Sequence, residues 1–130
     1  MRRSVAALAF LMVACATAPI VEHSVLADRL FFGRAVPGGG SVSDAEWTAF
    51  VDDVVTSRFP DGLTIWRAEG QWRGSDGQLV REPTMIIEIL HPMSPEFDRR
   101  ITEIADEYRR RFHQDAVMRV TLPARMEFVD

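Results

Sequence analysis

LTIWRAEGQWRGSDGQLVREPTMIIEIL, residues 63–90, holds two extended runs around a turn, and this stretch decides the fold. Leu63–Trp72 reads as one strand and Leu79–Leu90 as the next, with TMIIEIL its most apolar part. Only six residues separate the two runs, and they include Gly74, Asp76 and Gly77, which is hairpin chemistry. Pro83 cannot donate a ladder hydrogen bond, so it marks a bulge or the true start of the second run. The turn Gly74-Ser75-Asp76-Gly77 lacks the alternating oxygen ligands and distal glutamate of an EF-hand, so it reads as a turn rather than a calcium site. At its flanks Trp72 can stack on Arg81, and Glu82 can pair with Arg73. Such a rim either fixes the hairpin register or contacts a ligand.

Outward from the hairpin, each end meets a helix and then a strand. Upstream, Phe59-Pro60-Asp61-Gly62 stops a helix that begins at Ser43. Ser43 and Glu46 make a capping box, in which hydroxyl and carboxylate satisfy each other's backbone N–H groups. Trp47, Phe50, Val51, Val54 and Val55 follow at helical spacing as one apolar face. Before it lie a glycine-rich loop and a first strand, Val25–Gly33. Downstream, Ser94 is an N-cap with Pro95 at the first helical position. Phe97, Ile101, Ile104, Ala105, Tyr108 and Phe112 form a stripe, with Tyr108 expected to pack and its hydroxyl to reach the edge. Glu96–Arg100, Asp106–Arg110 and Glu107–Arg111 are expected ion pairs on the opposite face, as is Arg58–Asp61 at the first helix stop. A fourth strand spans Ala116–Leu122, and Arg125–Val129 extends it. The order β-α-β-β-α-β predicts an α+β, ferredoxin-like sandwich: a four-stranded antiparallel sheet with both helices on one face. The first and third strands, the most apolar, belong in its centre.

Alternation on the third strand puts Met85, Ile87 and Ile89 on one side and Ile86 and Glu88 on the other. The matching outward set is Arg29 and Phe31, Arg67 and Glu69, and Arg119 and Thr121. The second strand leaves its phase open, because Trp66 alternates oppositely to Leu63 and Ile65, and Gly70 can mark a bulge. This mixed face is either a solvated surface with cross-strand ion pairs or a homodimer face or ligand cleft, and its arginines favour a small acidic ligand.

The chain's first residues carry a different signal. Arg2 and Arg3 precede an apolar run from Ser4 to Ala14, too short for a comfortable membrane span and suited to a signal peptide over residues 1–14. Cys15 follows, and MVAC resembles the lipobox of bacterial lipoproteins. That resemblance implies lipidation of Cys15, a tether through residue 23, and a single domain over 24–130. Ala16 is not the aspartate that retains lipoproteins at the inner membrane, so the implied site is the periplasmic face of the outer membrane. The competing reading is ordinary cleavage after Ala18, which leaves a soluble secreted or periplasmic protein.

All 15 basic residues are arginine, so Schiff-base lysine catalysis and a phosphate-loop lysine are excluded. Without its first 14 residues the chain has 13 arginines against 19 acids, a net charge of −6, which argues against nucleic acid as a partner. One cysteine permits no internal disulfide. His23, His91 and His113 have no metal-ligand spacing, and no cofactor or metal is expected. His113 reads as a helix C-cap, and His91 is a candidate acid or base beside Glu88 or Glu82. No serine sits in a nucleophile elbow.

The segments LFFG, SDAEWTAFVDDVVTSRFPDGLT, GQWR, REP, the HP pair and YRRRF together resemble the bacterial family named domain of unknown function 3574, over roughly residues 26–128. The resemblance implies a small secreted or lipid-anchored bacterial protein and supplies no catalytic residue. The leading expectation is therefore a non-enzymatic periplasmic lipoprotein domain that binds a small ligand or an envelope protein, as a dimer through its open sheet. The alternatives are a small-molecule enzyme on a dimeric ferredoxin-like barrel and a structural envelope component. The residues expected to bind are Arg29, Arg67, Glu69, Trp72, Arg81, Glu82, Glu88 and Arg119.

Overall fold

A computed structural model of the chain describes residues 24–74 and 76–129; the expected signal peptide, the expected lipidation site Cys15, the expected tether and His23 lie outside the described residues. The elements are β1 (Ser24–Gly33), α1 (Asp44–Phe50), which runs on as a π-helical segment (Val51–Thr56), β2 (Thr64–Arg73), β3 (Leu79–Pro92), α2 (Pro95–Phe112) and β4 (Met118–Arg125). The sheet is antiparallel with order β2-β3-β1-β4, so β1 and β3 are central as their apolar runs require. One sheet face carries the core: Leu30, Phe32, Met85, Ile87 and Ile89 pack with side chains from both helices. This is the expected ferredoxin-like arrangement. Among the described residues no helix is long and apolar enough to cross a membrane.

Local chemistry sets each boundary. The Ser43–Glu46 capping box opens α1, and Ser94 accepts from the Phe97 N–H at the start of α2. His113 ends α2 in the left-handed conformation, φ 53°, with its N–H on the Arg109 carbonyl. The π-helical segment carries Val54 and Val55 into the core, with Phe50 before it and Phe59 after it also buried, while Val51 is only half-buried. The β3 strand runs straight through Pro83. Its carbonyl accepts from the Arg34 N–H, while the Arg34 carbonyl accepts instead from Val42, so the missing proline N–H leaves no acceptor unmet.

The β2–β3 hairpin closes as a turn, with Gly77 at φ 79° and the Gln78 N–H on the Asp76 carboxylate. Its flanks differ from expectation. Gln71 faces Arg81 and Gly70 faces Glu82, so Trp72 and Glu82 share one face while Arg73 and Arg81 share the other. Arg81 accordingly donates to Gln71, Arg73 to the Gly77 carbonyl, and Trp72 to Glu82.

The edge strands also invert part of the expected outward set. Ile65 and Leu63 pack on the core, which carries Arg67 and Glu69 to the helix side and turns Trp66 outward. Val117 packs on the core as well, so Arg119 and Thr121 face the helices and Met118, Val120 and Leu122 face away. Arg29, Phe31, Ile86 and Glu88 lie on the outer face as expected, with Arg29 opposite Glu88 and Phe31 opposite Ile86. Two expected ion pairs change partners: Arg58 meets Glu103, and Arg110 meets Glu107.

Candidate functional site

Arg29 and Glu88 pair at 2.5 Å across the two central strands, in the middle of the outer face. Toward the hairpin end of the same face the sheet becomes a trough. Glycines occupy both neighbours of β3 there: Gly33 opposite Thr84 on β1, and Gly70 opposite Glu82 on β2. A Cβ at Gly33 would come within 2.6–2.8 Å of the Glu82 carboxylate, and one at Gly70 would overlap the Thr84 hydroxyl. These two glycines therefore let the Glu82 and Thr84 side chains lie flat on the sheet.

Glu82 is held at both oxygens. The Trp72 indole N–H donates to Oε1 at 3.0 Å, and the Ala35 backbone N–H donates to Oε2 at 2.8 Å. A carboxylate so gripped keeps its position without a ligand, and each oxygen retains a further lone pair. Around it opens a cleft of about 640 Å³, walled by Trp72, Phe31 and Met118 from the sheet, Val36 and Pro37 from the β1–α1 loop, and Asp115 from the α2–β4 loop. The charged residues of the lining are Glu82 and Asp115, and no arginine is among them.

The other expected site residues are scattered. Arg67 reaches Asp44 at 3.4 Å beside α1, where Arg34 holds the same carboxylate at 2.7 Å. Two hydrogen-bond donors from these arginines pull the Asp44 carboxyl below its usual range. Glu69 and Arg81 lie on the helix side of the hairpin, away from the cleft. Among the described residues no cluster of three His, Cys, Asp or Glu side chains is placed to hold a metal ion.

Arg119 belongs to a second constellation, one built on Asp28. Asp28 and His91 are buried beneath the helices. The Asp28 carboxylate accepts from Arg119 Nε at 2.9 Å and Nη2 at 2.7 Å, lies 2.7 Å from His91 Nε2, and accepts from the Thr121 hydroxyl. Burial alone would raise its pKa, but the donors from Arg119, Thr121 and His91 outweigh burial and hold the carboxyl below its ordinary value. Arg119 also reaches Asp98 on α2 at 2.8 Å, and the bond to Asp28 raises its own pKa. His91 points its Nδ1 at the Pro92 carbonyl and stacks on Phe97, so it faces neither Glu88 nor Glu82 and lies away from the cleft. This cluster joins β1, β3, β4 and α2.

Asp28 and Gly33 were not singled out from the sequence, and Gly70 stood out only as a candidate bulge, whereas β2 pairs continuously through Gly70. Asp28 had a usable signal, because it shares its alternation phase with Leu26, Leu30 and Phe32. The role of the two glycines beneath Glu82 and Thr84 had no sequence signal, since it depends on which residues stand across the ladder.

A family model described as a protein of unknown function (DUF3574) matches residues 27–128. No curated protein matches the chain. Among solved structures, a phage SAM lyase in complex with S-methyl-5′-thioadenosine superposes with a TM-score of 0.61 at 19% identity, over 82% of this chain and 86% of that one. The apo state of a phage SAM lyase gives 0.61 at 21% identity, over 85% and 90%. CutA from Synechococcus elongatus gives 0.53 at 10% identity, over 81% of each chain. At these identities the likeness is one of fold.

Proposed function

The chain belongs to the DUF3574 family, and we propose that it is a small-ligand-binding domain tethered to the bacterial envelope by a lipid on Cys15. The observation that carries the binding reading is the Glu82 carboxylate, fixed by Trp72 and Ala35 on the floor of the cleft. An apolar wall with a few placed polar groups is the usual make-up of a small-molecule site. Carboxylates rather than arginines line it, which favours a neutral or cationic ligand with a donor for Glu82 over the acidic ligand expected from the arginine content. S-methyl-5′-thioadenosine, held by a protein of the same fold, is neutral, has a flat base and carries an apolar thioether, so it is the first compound to try. The anchoring reading is supported by MVAC at residues 12–15 and by the eight residues that separate Cys15 from β1.

The experiment is native mass spectrometry of the full chain, extracted from a bacterial envelope in mild detergent and then exposed to S-methyl-5′-thioadenosine. The expected result is a reproducible extra mass, retained from the envelope or gained from the nucleoside. Gly33→Ala drives a methyl group into Glu82 and should weaken that binding at least about tenfold, the equivalent of one charge-assisted hydrogen bond. A chain that carries no mass in either condition, or a Gly33→Ala chain that binds equally well, sinks the cleft reading. Separately, Cys15→Ser should release the protein from the membrane fraction, and unchanged retention would refute the anchor.

A further inference from the structure

An antiparallel sheet with one face on a core normally turns polar residues outward. Here most outward residues of both edge strands are apolar: Trp66 on β2, next to Thr64, and Met118, Val120 and Leu122 on β4. Between them stand Phe31 and Ile86 on the central strands. Trp66 is 37% exposed, Leu122 44% and Met118 56%, so exposed apolar side chains flank both edges of the face, with Ile86 buried and Phe31 half-buried between them. Patches of this extent mark interaction sites.

We propose that a second copy of this chain covers the outer face, in a two-fold dimer whose axis passes near Arg29 and Glu88. Charge is the first argument. The chain as a whole is net negative, which disfavours association with itself. The centre of this face is neutral, because its two charges are the Arg29–Glu88 pair. A two-fold axis there sets Arg29 of one copy beside Glu88 of the partner subunit, and Glu88 beside Arg29 of the partner subunit, so the surface complements itself. An unrelated partner would gain nothing special from a neutral centre. Area is the second argument. Four strands of eight residues cover roughly 500 Å² in projection. Protruding tryptophan, methionine and leucine side chains raise the accessible area toward the ~800 Å² per partner of a standard interface. Phe31 and Met118 belong both to this patch and to the wall of the cleft, but the stoichiometry of the chain reads the dimer whether or not the cleft holds a ligand.

Native mass spectrometry of the full chain in detergent, at tens of micromolar, reads the stoichiometry directly. A dimer is expected. Leu122→Arg and Trp66→Arg each place a charge in the buried patch from opposite edges, and each should weaken dimerisation at least about 100-fold. Both residues are already exposed in the single chain, so circular dichroism should show both variants folded. Met93→Arg, at a 74% exposed position on the β3–α2 turn, should leave the dimer intact. A monomeric wild type, a higher oligomer, a monomer bound to a different protein, or folded variants that still dimerise would each overturn the proposal.

Discussion

Asp28→Ala is expected to lower the stability of the domain by about 3–5 kcal/mol, the cost of breaking a buried ion pair from one side. The substitution leaves the Arg119 guanidinium, the His91 imidazole and the Thr121 hydroxyl facing a cavity where a carboxylate satisfied all three. A loss of this size is a large share of a small domain's total stability, and thermal denaturation followed by circular dichroism reads it as a midpoint lower by roughly 15–30 °C. Asp28→Asn keeps the shape and removes the charge, so it should retain more stability and report the pH dependence. The native pKa of Asp28 lies below its unfolded value, which is about 3.9. Its contribution is therefore complete above that value and is lost as pH falls through the lower native one. Below about pH 4 the wild type should lose stability more steeply than Asp28→Asn. Parallel curves for the two proteins would show that the Asp28 charge contributes nothing.

Phe32→Ala should cost about 3–5 kcal/mol through a different mechanism, a cavity in an apolar core. Phe32 is fully buried on β1. Its ring centroid lies 4.8 Å from Tyr108, 5.3 Å from Trp47 and 5.8 Å from Phe50, all at edge-to-face angles. Truncation removes the ring around which both helices pack against the sheet, and aromatic neighbours of this size collapse poorly into the space. Phe128→Ala is the matched control: at 90% exposure it should change stability by less than about 0.5 kcal/mol. Chemical denaturation of both variants checks the contrast. Equal effects would mean that the aromatic cluster is not the centre of the core.

Most of the fold was legible because its signals are local. The capping box at Ser43, the Ser94-Pro95 start, the hairpin turn and the helical stripe through Tyr108 each act within a few residues, and each appears where it was expected. The Tyr108 hydroxyl even reaches an edge, donating to the Gly33 carbonyl at 2.9 Å. The site was legible only in part. Trp72 and Glu82 were identified, but with the wrong partners, because one step of register exchanges every neighbour across a hairpin.

By itself the sequence determined the order of elements, the central place of β1 and β3, and the family. Local propensity and apolar periodicity carry that information, and they need no knowledge of what lies across the sheet. Only the tertiary structure decided which way the edge strands face. On β4 the hydrophobic pattern alone would turn Met118, Val120 and Leu122 inward. They point outward because Asp28, buried on β1, draws Arg119 and Thr121 to the helix side as its partners. The cost of an unpaired buried carboxylate exceeds that of leaving three apolar side chains at the surface, so a charge on a neighbouring strand, together with the packing of Val117, sets the phase of β4.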